Sequence, residues 1–147
     1  MARARSQPTS SPHPRGRTAP DDRELVASAV EVLRRRYVRG RHTVAAAVRT
    51  RSGAVYLGVN LEGIHTPCAE PVAVGAALTA GDGAIAAMVA VRRRGRGYEV
   101  LAPCGTCRQL LFDYAPGAYA LVPGPGGRPR RLAATAGLPH AYSTFEE

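Results

Sequence analysis

The sequence contains no tryptophan and no lysine, and only 5% of its residues are aromatic. Without large rings, a buried core must rest on Val, Ala and Leu. Without lysine, all 20 basic residues are arginine, which reads as codon bias of a GC-rich genome rather than as a binding device. Cysteine is also scarce, with three in 147 residues. An odd, small count excludes a secreted disulfide framework. No segment approaches the ~18 apolar residues of a membrane span. The N-terminus is basic but has no apolar h-region, so no secretory signal and no membrane partner are expected. The expected compartment is the cytoplasm.

A chain of 147 residues suits one domain. A domain of this size buries roughly 70% of its unfolded surface and needs no covalent staples. The net charge of +9 is unevenly spread, because Arg3, Arg5, Arg15 and Arg17 place +4 in the first twenty residues with no acid beside them. Residues 1–20 are rich in Pro, Ser and Arg, cannot bury apolar surface and are expected to be disordered. A second concentration is Arg92, Arg93, Arg94 and Arg96. Only Tyr98 lies near that run, so single-stranded nucleic acid finds no stacking platform there and is not the expected partner. A solvated arginine loop is the plainer reading of residues 92–97.

From residue 21 onward the pattern is that of an α/β domain. Asp21 and Asp22 begin a helix whose apolar stripe is Leu25, Val26, Ala29, Val30, Val32 and Leu33, ending near Arg34-Arg35-Arg36 and Gly40. Two strand-like runs follow, 42–49 and 54–60, joined by the hairpin chemistry of Arg51-Ser52-Gly53. Residues 68–79 read as a helix of small, mostly apolar residues, buried on most sides. Residues 84–91 form a continuous apolar run, a candidate buried strand. Short strands are expected at 98–101, 118–122 and 130–133, and a helix at 104–114 stopped by Ala115-Pro116-Gly117. This order of elements implies a sheet covered by helices.

The chemistry concentrates in Cys68-Ala69-Glu70 and, downstream, Pro103-Cys104-Gly105-Thr106-Cys107. A CxxC pair with a distant third cysteine supplies three soft ligands for Zn²⁺ and leaves a fourth tetrahedral position open, as in catalytic sites. Each cysteine group falls at an expected helix start, where free N–H groups and the helix dipole favour thiolate. Glu70, in the first turn after Cys68, can move a proton between water and substrate without binding the metal. Three thiolates around one Zn²⁺ sum to a formal −1, which weakens the metal as a Lewis acid. The helix N-termini offset part of this, and Arg108 beside Cys107 is the candidate for the rest.

Cys-Ala-Glu with Pro-Cys-Gly-x-Cys-Arg-Gln resembles the cytidine deaminase superfamily, and within it the small three-cysteine cytidine deaminases and blasticidin S deaminases. The likeness also takes in Gly58-Val59-Asn60, the run CAEPVAVGAAL from Cys68, Leu110-Leu111, Asp113 and Pro116-Gly117, and it covers roughly residues 42–142. The resemblance implies a three-layer α-β-α fold with a five-stranded mixed sheet, a homotetramer and one zinc per subunit. Residues 21–147 would be the zinc-dependent deaminase domain. It implies that Cys68, Cys104 and Cys107 hold zinc and that Glu70 is the proton carrier. The Ala69 N–H would meet the pyrimidine O2, Asn60 would hold the sugar, and Glu62 has the spacing of the family's ribose ligand. Tyr142 or Phe145 would be the C-terminal aromatic that reaches an active site. The implied activity is hydrolytic release of ammonia from a small-molecule cytosine nucleoside. Cytidine, deoxycytidine and blasticidin S are the candidates, in pyrimidine salvage or antibiotic resistance.

The sequence departs from the cytidine deaminase pattern at three places. Pro71 stands where Arg is usual, the Asn60–Cys68 loop is short and contains His65, and the aromatic of the first strand is absent from Thr43-Val44-Ala45-Ala46. A deaminase of another aminated heterocycle therefore stays open, as does a non-catalytic zinc-binding relative. A redox CxxC and a structural zinc site closed by His65 or His140 are the remaining readings of the cysteines.

Overall fold

Helix α1 (Pro20–Arg36) opens on a proline, whose fixed φ suits a first helical turn. Asp21 and Asp22 in that turn and Arg34, Arg35 and Arg36 in the last match the helix dipole at both ends. The computed structural model describes residues 20–143; of the tail expected at 1–20 only Pro20 is described, and it starts α1, while residues 1–19 and the candidate Phe145 lie outside them. Every strand and helix read from the sequence is present, with shifts of a few residues at the ends. These are β1 (Val44–Thr50), β2 (Val55–Val59), α2 (Ala69–Thr79), β3 (Ile85–Arg94), β4 (Gly97–Leu101), α3 (Gly105–Tyr114), β5 (Tyr119–Val122) and β6 (Arg130–Ala133). A four-residue helix, α4 (Ala134–Gly137), gave no sequence signal.

The sheet has six strands where the resemblance implied five. Its main path runs β2-β1-β3-β5-β6, mixed because β3 and β5 are parallel and the other neighbours antiparallel. The additional strand is β4, which pairs with the C-terminal half of β3 while β5 pairs with its N-terminal half. One long strand thus offers a single edge to two partners. The same pairing corrects the expected arginine loop. Arg92, Arg93 and Arg94 belong to β3, and the turn is confined to Gly95-Arg96, with Gly95 at φ 58°. Arg92 and Arg94 both bind Glu99 across the hairpin. Arg93, on the other face, lies 4.7 Å over the Tyr37 ring.

Two cores follow from strand alternation. One face of the sheet buries Leu25, Ala29 and Leu33 of α1 against Ala45, Ala47, Val89 and Val91. The other buries Ala69, Ala73, Val74 and Ala77 of α2 and Leu111 of α3 against Ala46, Val48, Met88 and Ala90. The three-layer α-β-α arrangement is therefore as expected, and so is its dependence on small residues. Their purpose is visible at Gly58 of β2. A Cβ there would lie 2.5 Å from the Ala73 nitrogen and 2.6 Å from the Ala69 carbonyl oxygen, both backbone atoms of α2.

The α1 layer is fastened by one buried carboxylate. Asp22, fully buried, accepts from Arg131 Nε at 2.7 Å, from the Tyr119 hydroxyl at 2.6 Å and from Arg49 Nη2 at 3.4 Å. It joins α1 to β1, β5 and β6. Burial disfavours its charge, but the bonds from Arg131 and Tyr119 and the charges of Arg131 and Arg49 outweigh burial and hold the carboxyl below its ordinary range. A depressed folded-state pKa contributes stability that is present above the unfolded value and lost as pH falls through the folded one. Asp22→Asn is therefore expected to destabilise the fold by about 3 kcal/mol at pH 7. It should also flatten the acid limb of stability below about pH 4, both read by urea melts across pH.

Candidate metal centre

Cys68 and Cys104 are the N-caps of α2 and α3. Cys107 lies one turn into α3 and is fully buried. The two helices bring the three sulfurs together within 4.8 Å of one another, with Cys68 Sγ 3.6 Å from Cys104 Sγ. All three are free thiols. Among the described residues the cluster takes in no histidine, so it is not a four-ligand structural set closed by His65 or His140. A third thiol also separates it from a redox CxxC pair. Three soft donors in a triangle, with one tetrahedral corner left, suit Zn²⁺ at a site open to a further ligand.

The helix starts act on the sulfurs unequally. Burial opposes charge on Cys104, but bonds from the Cys107 and Thr106 backbone N–H groups, among others, outweigh it and lower its pKa. The Cys68 and Cys107 thiols are pushed up, first by burial; Glu70 and Cys104 add to this at both, while the Cys107 side chain offsets part of it at Cys68. The fold alone thus eases ionisation at one corner of the cluster and opposes it at the other two, where a bound cation would favour it.

Glu70 lies in the first turn of α2, 5% exposed and outside the sulfur triangle. Burial raises its proton affinity, countered in part by its own backbone N–H and by the Cys107 side chain. Burial of this kind makes the carboxyl a better proton acceptor than a solvated glutamate, which suits a group that moves a proton. Pro71 follows it in the first helical turn, a place where a missing N–H costs no hydrogen bond.

A cavity of about 310 Å³ opens beside the sulfurs, and its walls include Asn60, Glu62, Cys68, Ala69, Glu70 and Cys104. The structure therefore brings the expected substrate-side residues to the expected acid and thiols. Asn60 is 7% exposed and donates from Nδ2 to Glu62 Oε1 at 3.0 Å. Arg108 stands back from the cavity. Its guanidinium donates to the Pro103 and Gly137 carbonyls, at 2.9 and 3.0 Å, and ties the start of α3 to the end of α4. Tyr142 is 73% exposed, and its carbonyl accepts from Gln109. Thr43 and Val44 also line the cavity, although the sequence had marked them only for lacking an aromatic. Counting the hairpin register outward from Ala45 and Val59 places Val44 opposite Asn60 and would have found them.

Comparison with known proteins agrees with this geometry. A family model described as the cytidine and deoxycytidylate deaminase zinc-binding region matches residues 19–121. Blasticidin-S deaminase from Bacillus cereus is 38% identical over 109 residues, 69% of this chain and 78% of that protein. Cytidine deaminase from Mycobacterium tuberculosis is 39% identical over 95 residues, 63% of this chain and 68% of that protein. The crystal structure of cytidine deaminase from Burkholderia pseudomallei is 30% identical and superposes with a TM-score of 0.66, covering 82% of this chain and 98% of that one.

The contact of Gly58 with α2 generates a test of how the site is positioned. Gly58→Ala must push α2 away from the sheet, since neither backbone contact can yield. The expected result is a loss of about 1–3 kcal/mol in stability, with zinc retention and turnover reduced together. Denaturant melts and metal analysis of the same preparation check it.

Proposed function

The chain belongs to the cytidine and deoxycytidylate deaminase family, and on that premise we propose that it hydrolyses the exocyclic amine of a cytosine nucleoside, with Glu70 as its catalytic proton carrier. It is a zinc-dependent hydrolytic deaminase with one zinc per subunit. The observation that carries the finer reading is the cavity in which a buried acid and the sulfur cluster meet Asn60 and Glu62. Cytidine, deoxycytidine and a cytosine nucleoside antibiotic such as blasticidin S are the substrates it suits. Thr43 and Val44 are small for a cavity wall and favour a bulkier or modified base or sugar.

Cys68, Cys104 and Cys107 would hold the zinc. When bound, zinc lowers the pKa of water to about 7 and so makes a nucleophile available at neutral pH. Glu70 takes a proton from the attacking water and delivers it to ring N3 as oxygen bonds to C4. It then carries the second proton to the departing amine. Ammonia leaves, and the ring keeps a carbonyl at C4. Asn60 and Glu62 hold the sugar, and the Ala69 N–H meets the pyrimidine O2. In place of the charge-tempering role expected of it, Arg108 is assigned the role of fixing the start of α3, where Cys104 and Cys107 sit, through the Pro103 and Gly137 carbonyls.

We assign the catalytic domain to residues 21–147, in a homotetramer. Three free thiols suit a reducing compartment, so the cytoplasm is the proposed location. No helix among the described residues is long and apolar enough to cross a membrane.

Ammonia release by zinc-loaded protein on cytidine, deoxycytidine, blasticidin S and free cytosine tests the reading. Release from cytidine or deoxycytidine assigns salvage; release from blasticidin S alone assigns antibiotic resistance. Silence on all four with zinc bound contradicts the proposal. Glu70→Ala should retain zinc and lose turnover by about 10²–10⁴-fold or more, and a variant as active as the parent would remove Glu70 from the mechanism.

A further inference from the structure

The antiparallel ladder between β1 and β2 ends in an irregular step. Its last regular pair is Ala45 and Val59, so Val44 and Asn60 stand opposite each other one step on. The Asn60 N–H donates to the Val44 carbonyl at 3.1 Å, as a ladder would have it. The reciprocal bond is missing. The Val44 N–H donates at 2.9 Å to the side-chain oxygen of Asn60, which also accepts from the Thr43 N–H at 2.8 Å. The Asn60 carboxamide has displaced its own backbone carbonyl from the ladder. A buried carbonyl so displaced needs another donor, and His42 Nδ1 supplies it at 2.8 Å. A carbonyl can only accept, so the His42 tautomer carries its proton on Nδ1.

The exchange of partners has a consequence for the cavity. With Oδ1 fixed by two backbone N–H groups, the Asn60 Nδ2 is turned to Glu62 Oε1, and both residues line the cavity. The loop beyond is anchored at the same place. The Glu62 N–H donates to the Arg41 carbonyl at 3.2 Å, and the Leu61 N–H to the Pro67 carbonyl at 3.2 Å.

We propose that His42 is a positioning residue for the substrate pocket: its Nδ1–H holds the Asn60 carbonyl out of the ladder and so keeps the Asn60 carboxamide turned to Glu62. The inference rests on the reading that Asn60 and Glu62 face the substrate. Without the His42 donor, the Asn60 carbonyl recovers the Val44 N–H, Oδ1 is released and the carboxamide loses its fixed direction. The three cysteines and Glu70 belong to α2 and α3 or their N-caps, and the hydrogen bonds of His42 go to Val38 and Asn60 instead, so binding is affected and chemistry is spared.

His42→Ala is expected to raise KM for the substrate roughly 3- to 10-fold, the effect of losing one such hydrogen bond, with kcat changed less than about 2-fold and zinc content unchanged. His42→Asn returns an N–H close to the place of Nδ1 and should restore KM, whereas His42→Gln, which offers its N–H farther out, should not. In ¹⁵N-labelled protein the Asn60 side-chain amide and Val44 N–H resonances should move in His42→Ala and His42→Gln and return in His42→Asn. These resonances are read without turnover. A parent protein that deaminates nothing therefore sinks the functional reading, while the resonances still decide the role of His42. An unchanged KM and unmoved resonances in His42→Ala would overturn the proposal. So would equal loss of KM, kcat and zinc in His42→Ala and His42→Asn, because the role would then be packing.

Discussion

Three sulfur atoms held within 4.8 Å of one another are the constraint on which the rest of the structure depends. Burial and mutual repulsion oppose the thiolate form at Cys68 and Cys107. The cluster is therefore a poor arrangement for a bare protein and a suitable one for a protein holding a soft divalent cation. The fold brings the sulfurs together by starting two helices at one place. Each start contributes free N–H groups on the side where negative charge collects, and Cys104 takes the clearest benefit, through the Thr106 and Cys107 amides.

The helices must then be held against the sheet closely enough for a buried acid and an open cavity to share the same corner. The small side chains do this. Gly58 admits the α2 backbone against β2, and Ala69, Ala73 and Ala77 continue the contact along the helix. Glu70 is carried into a buried position by the same docking, and burial raises its proton affinity. On the far side of the sheet, Asp22 fastens α1 through Arg49, Tyr119 and Arg131, so that β1, whose start forms one cavity wall, is held from both faces.

Much of this was legible in the sequence because its signals are local. Cysteines with CxxC spacing, an acid two positions from the third cysteine and apolar runs bounded by glycine and proline each report on their own neighbourhood. The misses are of a different kind. The arginines at 92–94 read as loop because their charge masks a strand that is held by pairing with Glu99 seven residues later. All six strands were legible as runs; what no window of sequence contains is that β4 and β5 share one edge of β3, which brings both into one sheet where the resemblance implied five strands. Likewise His42 has no local signature. Its partner is Asn60, eighteen positions away, and its importance comes from a ladder bond that a side chain has displaced.

X-ray absorption at the zinc edge of the purified protein tests the central claim most directly. The account predicts one zinc per chain with three sulfurs at about 2.3 Å and one lighter neighbour near 2.0 Å. A first shell of two sulfurs, or of three sulfurs with an imidazole, would contradict a site built from Cys68, Cys104 and Cys107 with one corner open for chemistry.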